Sequence, residues 1–157
     1  SAIYGNVLNS TGSIIPLIWD SINRNYPLTL YSDEMTRFMI DIENAMDLIE
    51  VGLEVSGYNV VPNLKSFLVK DLFDIYSEKW GLKYKIGEPR ISEKIHEIMI
   101  AKEEAPRTFY SEADDTYYMH YKDVSESCIA DEFNSYDVTV SKDKLIKILE
   151  QYNYFKP

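Results

Sequence analysis

Apolar positions along the chain fall into short strand-like runs separated by stretches of helical spacing. Residues 3–7 have the character of a strand end, and Asn9-Ser10-Thr11-Gly12-Ser13 is a polar loop of turn-forming residues. Ile14, Leu17, Ile18 and Ile22 then recur as a helical stripe, predicting a helix over 14–23 with Pro16 in its first turn. Asn25-Tyr26-Pro27 breaks that helix, and 28–31 reads as a short strand. The run Met35-Thr36-Arg37-Phe38-Met39-Ile40 is strand-like but carries a cation, Arg37. Asp41 stands where an N-cap carboxylate would meet the first free amides. Beyond it, Ile42, Ala45, Met46 and Ile49 form one apolar face of a helix ending near Gly52. Together these make a strand-turn-helix packing unit.

The remaining pattern continues in kind. Residues 57–62 predict a strand closed by Pro62, and 69–80 a second amphipathic helix with Leu72, Phe73, Ile75, Tyr76 and Trp80 apolar and Gly81 as its stop. Residues 84–86 form a strand; 95–100 fit either a strand or a short helix. Phe109-Tyr110 and 117–121 read as two strands around the acidic turn 112–115. A last helix over 142–151 has Ser141 as cap and Leu145, Ile146, Ile148 and Leu149 inward. There is no repeat and no regular βαβ alternation, so the fold class is α+β: a small mixed sheet with helices.

Charge narrows the functions open to this chain. Its 16 basic and 26 acidic residues give a net charge of −10, a field that repels nucleic acid and anionic membranes. A local basic pocket for a small anion remains compatible with it. The 157 residues fit one domain, and no apolar run approaches the ~20 residues that span a bilayer. Cys128 is the single cysteine, which excludes an internal disulfide and points to a reducing compartment. A cytoplasmic location follows as the expectation. The chain also enters a structured segment abruptly at Ser1, as part of a larger protein would.

Little of the chemistry is explicit. His96 and His120 have no metal-ligand spacing, so no metal site is expected. Neither a GxGxxG nor a P-loop is present. Tyr118 and Lys122 spell YxxxK, the spacing that sets a catalytic pair on one helical face; here it lies in a strand-like aromatic run, outside that context, and no catalytic residue is assigned. Arg37 and Arg90 are the better candidates, because guanidinium forks match a diphosphate and stay charged when partly buried. For Arg37 a structural role against an acidic neighbour stands beside the anion-binding one. The loop 6–13, just ahead of a helix start, offers backbone amides to the same anion.

Six collinear stretches carry a resemblance. Residues 4–16, with Tyr4-Gly5-Asn6-Val7 and Ser10-Thr11-Gly12-Ser13-Ile14-Ile15-Pro16, resemble a segment of the extended short-chain dehydrogenase/reductases. More narrowly, they look like those of the UDP-N-acetylglucosamine 4,6-dehydratases of surface-polysaccharide synthesis. Met35-Thr36-Arg37-Phe38, Val61-Pro62-Asn63-Leu64-Lys65-Ser66 with Val69, Asp71 and Leu72, and Arg90-Ile91-Ser92-Glu93-Lys94-Ile95-His96-Glu97 continue it. Ala101-Lys102-Glu103-Glu104-Ala105 and Glu132-Phe133-Asn134-Ser135 complete it. Ile3 and Thr11 stand where many relatives have arginine, and Ile91-Ser92 replaces Pro-Gly after Arg90.

The resemblance implies a C-terminal, UDP-sugar-binding portion of such an enzyme, with the Rossmann half that holds NADP or NAD outside this chain. Residues 1–16 would be the end of the Rossmann-type core and a substrate loop, and 17–157 the UDP-sugar-binding part. It places Tyr4 and Val7 near the cofactor. Asn6, Thr11, Arg37, Arg90 and Glu93 would contact substrate, with Arg37 and Arg90 converging beside Asn6. Implied partners are the UDP-sugar, the Rossmann half and a second copy in a homo-oligomer, with no nucleic acid and no membrane. Alone, the chain would be inactive. Two alternatives remain: a UDP-sugar 4-epimerase on the same scaffold, and a non-enzymatic binding or docking module, for which 13 tyrosines and two tryptophans supply interface residues.

Overall fold

The computed structural model describes residues 1–122 and 128–157. Its strands build four small sheets, where the sequence pattern predicted one mixed sheet. The first joins β1 (Asn6–Val7), β3 (Thr36–Ile40) and β5 (Ser66–Leu68), with β1 parallel and β5 antiparallel to β3. β2 (Leu28–Leu30) runs parallel to β6 (Tyr84–Ile86). β4 (Tyr58–Pro62) and β8 (Thr108–Ser111) flank β9 (Thr116–His120) in an antiparallel meander. β7 (Ile98–Ile100) pairs antiparallel with β10 (Phe133–Asn134), which resolves the ambiguity over 95–100 in favour of a strand.

β3 divides the interior because alternate residues of a strand face opposite ways. Phe38 enters one cluster with Val61, Ile100, Met119 and Phe133. Met39 enters the other, larger cluster with Ile15, Ile18, Phe67, Leu72, Ile75, Tyr76, Leu145 and Leu149. That cluster is assembled by α1 (Ile14–Arg24), α3 (Val69–Trp80) and α4 (Lys142–Gln151). Gly5 is required where β1 passes β3: a Cβ there would lie 2.6 Å from the Phe38 Cβ.

Turn chemistry acts as the sequence predicts. Asn25 and Gly81 take left-handed conformations at the ends of α1 and α3 and return their amides to the last turns. Ser141 caps α4 through the Lys144 amide, and Asp41 caps α2 (Ile42–Glu54) through Asn44. The C-terminal segment closes the larger core. The Tyr154 carbonyl accepts from Trp19 Nε1 at 3.3 Å and from the Tyr76 hydroxyl at 2.6 Å, and its own hydroxyl donates to the Leu8 carbonyl.

α2 departs from expectation. Its buried residues are Ala45 and Leu48, while Ile42, Met46 and Ile49 point to solvent. Helical spacing identified an apolar stripe correctly but not the side that packs, because only a narrow strip of this helix meets the rest of the chain. No helix among the described residues is long and apolar enough to cross a membrane.

Candidate functional site

The turn after β1 and the start of α1 enclose a cavity of about 370 Å³, lined by Asn6, Val7, Thr11, Ser13, Arg37 and Phe67 among others. Local sequence shapes it directly. Gly12 (φ 78°) and Asn9 (φ 60°) take left-handed turns that fold the loop back, and the Ser13 amide closes onto the Ser10 carbonyl at 2.9 Å. Ser13 is the N-cap of α1 with extended backbone. Its hydroxyl oxygen is buried and meets no hydrogen-bonding partner among the described residues. The first turn of α1 carries no acidic residue, so the free amides and the positive end of the helix dipole are unopposed.

Arg37 forms another wall. On β3 it lies opposite Phe67 of β5, on the strand face that also carries Met39. Its side chain is only 17% exposed, and its donors are engaged by the segment 93–97. Nη1 donates to the Thr36 carbonyl at 2.8 Å and the Ile95 carbonyl at 3.2 Å; Nη2 donates to the Lys94 carbonyl at 2.8 Å. Glu93 lies 3.5 Å from Nη2, and Glu97 4.0 Å from Nε. The guanidinium therefore ties the 93–97 segment to β3 and contributes positive charge to the cavity wall.

Glu97 is the residue that sequence reasoning missed. One carboxylate oxygen accepts from Asn6 Nδ2 at 2.9 Å, and the other accepts from the Phe38 amide at 2.8 Å. It thereby fixes the Asn6 side chain beside Arg37. Its amide donates to the Ser135 hydroxyl, which continues to Thr36 and from there to His96. Nothing in the local pattern announces that this carboxylate returns to a residue 91 positions earlier. Ser13 was named as loop only, since burial of a hydroxyl without a partner is a tertiary fact.

The other predicted residues separate. Thr11 lines the cavity and is exposed, and Val7 lines it half-buried. Tyr4 is 44% exposed and lies outside the lining. Arg90 is also outside it: its guanidinium stacks 4.2 Å above the Tyr31 ring, on the exposed segment beyond β6. The expected convergence of Arg37 and Arg90 on one cavity is thus not the arrangement seen here. The two are linked through the 90–97 segment, where the Glu93 amide donates to the Arg90 carbonyl at 2.9 Å.

A larger cavity, about 460 Å³, lies between α2, the end of α4 and the β8–β9 turn. Asp41, Asp47, Asp114 and Asp115 line it against one cation among the described residues, Lys65. Hydrogen bonds from the Tyr110 hydroxyl and Asn63 hold the Asp115 carboxyl below the usual carboxylate range. Burial pushes Asp41 up, but the Asn44 backbone and side chain and the Tyr152 hydroxyl outweigh it and leave Asp41 below its ordinary value. A cavity walled by anions disfavours a phosphate, so the smaller one is the candidate site. Among the described residues no group of His, Cys, Asp and Glu is arranged to hold a metal ion.

Comparisons with known proteins place the chain in a family. Residues 2–120 match the family model described as polysaccharide biosynthesis protein. An uncharacterized membrane protein of Methanocaldococcus jannaschii is 32% identical over 96% of this chain and 49% of its own length. The UDP-glucose 4-epimerase of Rickettsia felis is 32% identical over 96% of this chain and 42% of its own. The inverting UDP-N-acetylglucosamine 4,6-dehydratase of Campylobacter jejuni is 28% identical, covering 96% and 44%. The chain thus spans about half the length of these relatives. The X-ray structure of Pen from Bacillus thuringiensis shares the fold, with a TM-score of 0.84 at 22% identity over 98% of this chain and 50% of that one.

Proposed function

Because the chain belongs to the polysaccharide biosynthesis protein family, we propose that it is the sugar-nucleotide-binding part of an NAD(P)-dependent UDP-N-acetylglucosamine 4,6-dehydratase of the extended short-chain dehydrogenase/reductase type. The observation that carries this reading is the cavity at the start of α1. There Thr11, the loop backbone and the N-terminal end of α1 line one cavity with Arg37. A diphosphate supplies the acceptors such donors need, and a helix N-terminus favours its charge. Asn6, held by Glu97, lies where it meets the pyrophosphate or the sugar beyond it. Arg90 and Glu93, on the adjoining 90–97 segment, are read as further substrate contacts, although Arg90 stacks on Tyr31 outside the cavity. Tyr4 and Val7, at the β1 end, face a cofactor held mainly by the rest of the enzyme.

The named relatives support the sugar-nucleotide class, and the family description supports polysaccharide synthesis. Oxidation of the sugar belongs to NAD(P), so this chain by itself binds without turning over. The 4-epimerase reading also has an observation behind it, since the Rickettsia relative is the more similar of the two named enzymes at 32% against 28%.

Calorimetric titration with UDP-N-acetylglucosamine, UDP and free N-acetylglucosamine tests the site. Both nucleotides should bind and the free sugar should not. Arg37→Ala should weaken binding by roughly 10-fold, because the cavity wall loses its positive charge and the 93–97 segment its tie to β3. Absence of nucleotide binding by the native chain, or equal binding by the variant, would sink the proposal. In the full-length enzyme, a 4-keto product separates the dehydratase from the epimerase.

A further inference from the structure

Glu97 is held at both its backbone and its side chain. Its carbonyl accepts from the Ser135 amide at 2.8 Å, and its amide donates to the Ser135 hydroxyl at 2.8 Å. Ser135 is fully buried, and its hydroxyl is also joined to that of Thr36 at 2.6 Å. Each carboxylate oxygen then meets one donor, Asn6 Nδ2 or the Phe38 amide, with Arg37 Nε 4.0 Å away. Both partners are donors, a pair that needs an acceptor at each oxygen.

The consequence falls on Asn6. Gly5 lets β1 pass close to β3, which sets Asn6 opposite Met39 on the cavity wall. An asparagine amide has a donor end and an acceptor end, and turning it over exchanges them. The negative charge of Glu97 fixes the choice, because it accepts from Nδ2 and would repel Oδ1. Oδ1 therefore lies at the end turned from Glu97, and it has no hydrogen-bond partner among the described residues.

We propose that Glu97 is a positioning residue for ligand choice: it directs Asn6 Oδ1 to the cavity, to accept a hydrogen from a hydroxyl or amide of a bound sugar. A phosphate oxygen brings lone pairs and no hydrogen. Asn6 therefore reads the sugar and leaves the diphosphate to the loop backbone and the charge of Arg37. The inference rests on the reading of this cavity as a sugar-nucleotide site. In Glu97→Gln one acceptor oxygen becomes an NH2 group. The Phe38 amide, fixed in the backbone, keeps the remaining oxygen. Asn6 then pairs only by turning over, which points Nδ2 at the cavity.

The test reads the ratio of two affinities, for UDP-N-acetylglucosamine and for UDP, by calorimetric titration of each variant. Glu97→Gln should lower that ratio by roughly 5-fold, the worth of one hydrogen bond. UDP alone should bind as well or better, since a negative charge near Arg37 is gone. Asn6→Ala, a change at an exposed side chain, should lower the ratio to the same extent whether or not Glu97→Gln folds. Adding Glu97→Gln to Asn6→Ala should change it no further, because Glu97 acts through Asn6. In the chain without ligand, the side-chain NH2 resonances that Asn6→Ala removes should move in Glu97→Gln. An unchanged ratio in either single variant overturns the proposal, and so does a further fall in the double variant or an unmoved NH2 pair. Wild type that binds neither nucleotide overturns the reading of the cavity as well, which tells the two failures apart.

Discussion

α2 and α3 are nearly the same length and both amphipathic, yet they stand in opposite relation to the core. α3 buries Leu72, Phe73, Ile75 and Tyr76, and the Tyr76 ring packs edge-on against Trp19. α2 buries only Ala45 and Leu48 and leaves its large residues in water. The local signals run the other way. α2 begins with a side-chain cap from Asp41, whereas α3 begins at Leu68 with none. Capping and spacing decide that a helix forms; the bulk of neighbouring elements decides which of its faces is buried. A well-started helix can therefore leave most of its apolar stripe in water.

Substitutions should separate the two helices on one scale of stability, read as denaturant midpoints. Tyr76→Ala should cost most, about 3–5 kcal/mol, because it empties a fully buried ring position and removes one of the two hydrogen bonds to the Tyr154 carbonyl. A loss below about 1 kcal/mol would erase the contrast. Gly5→Ala follows at about 1–3 kcal/mol, since the new methyl meets the Phe38 Cβ, which is fixed to the β3 backbone.

Asp41→Ala should cost about 1 kcal/mol as a lost cap. Its pH dependence sharpens the point. The folded carboxyl titrates below the ordinary 3.8, so its contribution is complete above about pH 4 and is lost as pH falls through the lower folded value. The difference between wild type and variant should be flat from neutral pH to about 4 and shrink below it. A difference that grows in acid would reverse the assignment. Met46→Ala and Leu53→Ala should stay within about 0.5 kcal/mol in the chain alone. A larger loss would mean that the stripe packs within this chain after all.

What the sequence made legible was local. The helix starts at Ser141 and Asp41, the stops at Asn25 and Gly81, and the polar loop before α1 all depend on neighbours within a few residues. The placement of Thr11, Asn6 and Arg37 around one cavity was also within reach, through the resemblance. The roles of Glu97 and Ser13 were not, because each is defined by contacts or burial that exist only after distant segments meet. Arg90 shows the same limit from the other side. Its stacking on Tyr31 joins residues from two loops and leaves no periodic trace. Division of the strands among four sheets was equally hidden, since pairing partners leave no mark on a single strand.

The closure of the larger core by Tyr154 has a consequence for how the chain is made. Trp19 and Tyr154 are 135 residues apart, and synthesis at ~5–20 residues per second separates their appearance by on the order of ten seconds. Throughout that interval the inner side of α1, with Ile15, Ile18 and Trp19, lacks its last cover. Nascent chains halted before Tyr154 should therefore remain clients of holding chaperones, and release should come only once Tyr154 has been added and has emerged.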